Sequence, residues 1–270
     1  MVFGDPLMTL NGKLNPELLA PFRARRVLAY HEISGERSQD VYQITPERFI
    51  TQVTAAICTA RKHRVELEFT FDDGHYSHAA IAAPVLESAG FRGSFFIPAA
   101  RIEMSGSTAT WSELRSLQAM GHTIGSHGNT HVLLTGCTDD ELHEELITSR
   151  LTLEDKLGVR ITAISMPGGR WDKRVAAACQ QAGYEQMYTS QPGAAPLTSR
   201  SSQERLAISG RLAVLRKSRV ATVCKYIAGD PYVCGSLIAN FHLRSVIKQI
   251  VGDRVYGAVW RHVVRTATTT

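Results

Sequence analysis

Two aspartates stand side by side in Thr70-Phe71-Asp72-Asp73-Gly74, directly after an apolar run over residues 65–69. Adjacent carboxylates repel, so an apolar strand that ends on both calls for a compensating cation. One carboxylate on a metal with its neighbour acting as a base meets that need. The same residues also suit a helix N-cap or an Asx turn, and the motif by itself leaves the two readings even. A second cluster, Ser126-His127-Gly128-Asn129-Thr130-His131, carries two histidines four apart with a glycine between them. That spacing suits a turn that brings both imidazoles to one centre. Asp73, His127 and His131 would form a set of two histidines and one carboxylate, which binds a divalent transition metal and leaves positions open for water and substrate. A third cluster, Ser165-Met166-Pro167-Gly168-Gly169-Arg170, is glycine-rich. Its backbone amides could approach a ligand and hold a developing oxyanion, or form an ordinary turn.

Each cluster follows a stretch that reads as a strand. Short apolar runs fall at residues 27–30, 65–71, 93–98, 123–126 and 161–166, and helical patterns lie between them. Thr45 followed by Pro46 opens a helix expected to run to about residue 63. Residues 79–88 and 112–120 are expected helices stopped by Gly90 and Gly121. Thr138 with Glu141 forms a capping box, and the helix that follows ends at Gly158, while 173–182 ends at Gly183. Alternation of strand and helix over this length predicts a parallel sheet, open or closed, with its chemistry at the carboxyl ends of the strands. Polar stretches at 34–43 and 191–204 are expected loops, and 237–265 is expected to supply one or two terminal helices without chemistry.

The 270 residues are 44% hydrophobic, enough for one large core. The formal charge of +5 comes from scattered basic residues without interleaved aromatics, which excludes a nucleic-acid platform. Five cysteines form no CxxC pair, and their odd number does not suit a secreted disulfide framework. No basic, apolar leader stands at residues 1–10, and no run reaches the roughly 18 apolar residues of a membrane span. A cytoplasmic location is therefore expected, with peripheral membrane contact and oligomeric state left open.

In their order, TFDDG, SHGNTH and SMPGG resemble the motifs of the NodB-homology polysaccharide deacetylases, and the text between them does too. AAPVLESAGFRGSFFIPAARI, WSELRSLQAMGHTIGSH and ELHEELITSRLTLEDKLG are similar to the same family, so the likeness covers roughly residues 27–215. The resemblance implies a deformed (β/α) barrel of about seven parallel strands, preceded by an extension at 1–26 and followed by a helical segment at 216–270. It implies removal of an N-acetyl group from a sugar, with Asp73, His127 and His131 holding zinc or another divalent metal such as nickel, cobalt or iron. Asp72 becomes the general base, Pro167, Gly168 and Gly169 line the substrate, and Trp111 is expected in the groove.

The chain departs from the common pattern at Ser165, where many members carry arginine, and it lacks a late Leu-x-His motif. His242 is the nearest late histidine but is expected to open a helix beyond the barrel. His31, after the first strand, fits better as general acid, as in the permuted subgroup that deacetylates poly-N-acetylglucosamine. Arg211 is expected to orient or pair with Asp72. Three rival readings are a C–N hydrolase acting on a formyl group or small cyclic amide, an iron oxygenase with the same ligand types, and a carbohydrate-binding pseudo-deacetylase. The intact acid–base and ligand set argues against the last, and the strand–helix alternation against the oxygenase.

Overall fold

A computed structural model describes residues 24–35, 40–193 and 206–251. Parallel strands alternate with helices. The strands are β1 (Ala24–Tyr30), β2 (Val65–Phe71), β3 (Gly93–Ile97), β4 (Thr123–Ser126), β5 (Ala163–Ser165), β6 (Gln186–Thr189), β7 (Ala207–Gly210) and β8 (Leu212–Ala213). Between and after them run α1 (Pro46–His63), α2 (Ala83–Ser88), α3 (Trp111–Ala119), α4 (Asp139–Leu157), α5 (Lys173–Gln181), α6 (Val220–Ile227) and α7 (Pro231–Val251). Every pairing is parallel, in the order β7-β6-β5-β4-β3-β2-β1-β8.

The helix signals act as expected. Thr45 caps α1 with proline in its first turn, and both Thr110 and Thr138 form reciprocal capping boxes with Glu113 and Glu141. Some boundaries shift. β1 begins at Ala24, inside the stretch expected as an extension, while residues 1–23 lie outside the described residues. β5 is shorter than the expected 161–166, and α2 is preceded by a wide π turn over His78–Ala82. Most of the expected loop at 191–204 and the chain beyond 251 also lie outside the described residues.

The barrel closes at one residue. β7 pairs with β6 through residues 207–210, and β8 pairs with β1 through residues 212 and 213. Only Arg211 separates them, so a single bent segment spans the seam and the eight pairing strands amount to seven around the barrel. At the bend, a Cβ on Gly210 would lie 2.3 Å from the Gln191 carbonyl oxygen.

Side-chain alternation divides the strands between two environments. One set, including Leu28, Tyr30, Phe69, Phe71, Phe95 and Ile164, packs outward against the helices as the main core. The other set fills the barrel in layers. At its amino end Arg25, Glu68 and Tyr188 form a polar network. Val27, Phe96, Ala163 and Tyr188 make an apolar middle. Thr70, Asp72, Ser165 and Arg211 lie buried at the carboxyl end. The Arg211 guanidinium sits over the Phe96 and Tyr188 rings at 5.7 and 5.8 Å, so the apolar layer floors the polar one.

Replacing Gly210 with alanine forces the seam backbone away from Gln191, because a carbonyl oxygen at that distance cannot be accommodated by side-chain rotation. Thermal or urea unfolding of Gly210→Ala is expected to show a loss of about 1–3 kcal/mol.

Candidate metal and acid–base site

The β2 strand delivers Asp72 and Asp73 to the carboxyl rim, and β4 delivers His127. Asp73 has φ 72° and His131 has φ 68°, left-handed conformations that a side chain adopts only when its surroundings impose it. Two of the four such non-glycine residues among those described are thus candidate ligands. The side-chain nitrogens Nε2 of His127 and His131 lie 3.3 and 3.0 Å from Asp73 Oδ1. All three donor atoms fall within 4.8 Å of one another.

The chemistry of this trio fits a cation. His127 Nδ1 is 2.8 Å from the Ser165 carbonyl oxygen, which only accepts, so Nδ1 carries the proton and Nε2 presents a lone pair. That lone pair faces Asp73 Oδ1, a buried oxygen that accepts no hydrogen bond. Lone pairs converging in this way are satisfied by a shared positive ion. An imidazole whose second nitrogen is fixed by a backbone carbonyl is the usual support for a metal-ligating histidine.

His131 depends on a residue that the sequence reading missed. Glu145 of α4 is buried and accepts from the backbone N–H groups of Asn129 and Thr130, at 2.8 and 3.0 Å, and from the Thr130 hydroxyl. This carboxylate holds the 128–131 turn in its strained path. A charged residue at a core position of the amphipathic α4 was the available signal.

Asp72 is surrounded differently. Arg211 donates to both its oxygens at 2.8 Å, and the Ser165 hydroxyl donates to Oδ2 at 3.1 Å. Arg211 also donates to Ser165 Oγ at 2.7 Å, to Thr70 Oγ1 at 3.1 Å and to the Thr189 carbonyl at 3.2 Å. Burial raises the pKa of Asp72, but the Arg211 charge and its hydrogen bonds outweigh burial and hold it down at about 2. The arginine absent at position 165 thus arrives from the seam, with Ser165 leaving room for it.

The remaining predicted residues separate. His31 lines the same cleft, its ring 4.4 Å from Tyr42, and its Nδ1 is buried without a hydrogen bond. Burial lowers its pKa, with the Asp72 and Asp73 carboxylates opposing. The His31 loop is pinned from β2's exit, because His78 Nε2 lies 2.6 Å from the His31 carbonyl and Ser77 Oγ accepts from the Ile33 N–H. Gly168 and Gly169 line the cleft, whereas Pro167 is buried and does not. The Gly169 N–H donates to the Met166 carbonyl at 2.8 Å, so it is committed within the turn and is not an oxyanion donor. A Cβ on Gly169 would strike Ser190 Oγ at 2.2 Å, which accounts for the glycine. Trp111 does not line the cleft: it occupies the first turn of α3 and packs, half-buried, on the main core. Trp171, just after the third motif, takes the rim position instead. His242 does not open a helix. It lies within α7 and faces the same cleft, a cavity of about 1000 Å³.

A parallel barrel with a candidate metal centre and a buried Arg–Asp pair on its carboxyl rim defines the class: an α/β-barrel protein. Residues 59–187 match the family described as Polysaccharide deacetylase. The Bacillus subtilis protein YxkH, whose name places it with the same family, is 29% identical over 126 residues, 47% of this chain and 45% of the relative. Chitin deacetylase 1 of Cryptococcus neoformans var. grubii is 27% identical over 179 residues, 64% of this chain and 37% of the relative. The chain therefore spans less than half the length of both. Among solved structures, the polysaccharide deacetylase BC0361 from Bacillus cereus superposes with TM-score 0.64 at 22% identity, over 76% of this chain and 69% of that one. IcaB from Ammonifex degensii gives 0.63 at 18% identity, over 77% and 98%. Over that segment, just under half of its length, the chain is similar to the polysaccharide deacetylases.

Three measurements probe this site. Arg211→Met leaves the Asp72 charge buried and unpaired, and is expected to cost about 3–5 kcal/mol in urea unfolding at pH 7. In the wild-type chain Asp72 titrates at about 2, below the 3.8 of a free aspartate. Its stabilising share is therefore complete above about pH 4 and fades as pH falls through about 2, which unfolding midpoints across that range would register. Glu145→Gln is expected to lower affinity for a divalent ion about 10- to 100-fold, read by calorimetric titration, while leaving Asp72 and Arg211 in place.

Proposed function

We propose that this protein is a divalent-metal-dependent hydrolase that removes the N-acetyl group from an amino sugar in a saccharide or glycoconjugate. The observation that carries the reading is the convergence of three ligand-type atoms beside an independently clamped carboxylate, within a segment similar to the polysaccharide deacetylases.

Asp73, His127 and His131 would hold the ion. Zinc suits this donor set, as do nickel, cobalt and iron. Such an ion supplies Lewis acidity to the acetamide carbonyl and to the attacking water. Asp72 is the proton acceptor. Arg211 and Ser165 bind both of its oxygens, yet Oδ1 takes only one of these hydrogen bonds and keeps a lone pair for the proton. A carboxylate this weakly basic draws a proton only from an acidified donor, so it works as the partner of a Lewis acid. His31 stands on the same cleft and delivers a proton to the departing amine nitrogen. Its tilted ring contact with Tyr42 and the anchoring of its carbonyl by His78 fix where the ring stands.

The relative named a chitin deacetylase supports N-acetylglucosamine as the first sugar to test. Acetate release from N-acetylglucosamine oligomers by zinc- or cobalt-loaded protein is the expected result, abolished by chelation. Asp72→Asn should retain the metal and lose about 10²–10⁴ in turnover. Asp73→Asn should lose the metal itself. Release of formate, or opening of a cyclic amide without acetate, would instead favour the related C–N hydrolases.

A further inference from the structure

Beyond the family-matched segment the chain folds back over the site. α7 lines the cleft with Leu237, Asn240, Phe241 and Arg244, a spacing of three, four and seven residues that defines one helical face. The same cavity contains His31, Asp73, His127 and His131. Within that face Leu237 and Phe241 are half-buried, while Asn240 and Arg244 are exposed. Tyr42 stands beside His31 on the cleft, and the Arg244 guanidinium acts electrostatically on its hydroxyl, which brings the far end of the α7 face toward that loop.

We propose that this inner face of α7 is a saccharide-binding wall, holding a sugar ring next to the one whose acetamide lies at the Asp73–His127–His131 centre. The proposal rests on the deacetylase reading for the position of that acetamide. The wall's own chemistry supplies the rest. A purely apolar ligand would strip water from the Asn240 amide and the Arg244 guanidinium without return. A small ionic ligand would make no use of Leu237 and Phe241. A pyranose presents an apolar C–H face and a rim of hydroxyls, matching an aromatic ring flanked by an amide and a guanidinium. From Leu237 to Arg244 the face runs about 10 Å at 1.5 Å per residue. The three donor atoms lie within 4.8 Å of one another, so the face is longer than the centre with which it shares the cleft.

The test compares the β-1,4-linked tetramer of N-acetylglucosamine with the monosaccharide, using the full chain. Tetramer binding is read by fluorescence of Trp171, which lines the cleft, in metal-free protein, and acetate release is read in the metal-loaded protein. Phe241→Ala is expected to weaken tetramer binding about tenfold and to reduce the tetramer-over-monosaccharide ratio of kcat/KM by a similar factor. Phe241→Tyr should restore both. Asn240→Ala, an exposed change that does not endanger folding, should act in the same direction. Unchanged tetramer affinity in Phe241→Ala and Asn240→Ala overturns the wall, even if the wild-type protein releases acetate. Weakened tetramer binding in a protein that releases no acetate from any saccharide sustains the wall and removes the deacetylase reading instead.

Discussion

The ion pair between Asp72 and Arg211 couples the architecture to the site. A guanidinium buried on the barrel axis needs a carboxylate, and two adjacent carboxylates at the end of β2 need a cation to remain charged. Each requirement meets the other across the seam, where Arg211 is the single residue between the segment that pairs with β6 and the segment that pairs with β1. Thr70, Ser165 and the Thr189 carbonyl accept the guanidinium's other hydrogen bonds. The aromatic layer of Phe96 and Tyr188 lies under it. With one aspartate thus neutralised locally, the other is left to the two histidines, so a doublet repeated in sequence becomes two groups with separate roles.

Much of this was legible in the sequence because local rules and long-range needs agreed. Capping threonines, terminating glycines and apolar runs placed the first five strands and the helices among them within a few residues, and the rule that chemistry sits at carboxyl ends then gathered Asp73, His127 and His131. Arg211 could be suspected as the partner of Asp72, but its fourfold anchoring could not. That depends on Ser165 being small enough to admit a guanidinium from another strand, a relation with no sequence periodicity. Trp111 misled because an aromatic near a motif looks like a groove residue, whereas a side chain in the first turn of α3 packs on the core. Gly169 suggested an available amide, but closing its own turn uses that N–H. Glu145 was hidden for the opposite reason: a glutamate within a charged helix looks solvated until the turn it supports has folded against it.

The matched family segment ends at residue 187, before the seam and before α7. The ligand trio and Asp72 therefore lie within it, while the arginine that clamps Asp72 and the helix that faces the cleft lie beyond it. The matched segment carries the candidate site, and the later chain supplies the clamp on Asp72 and part of the cleft's lining. This division is consistent with folds whose shared scaffold hosts variable recognition.

The order of these parts along the polypeptide has a consequence for how the molecule comes into being. Residues 72–131 emerge from synthesis well before residue 211, so a nascent chain owns every candidate ligand while Asp72 still lacks its counter-charge. The clamp on Asp72 thus forms only once the segment that joins the first and last walls of the barrel has been made.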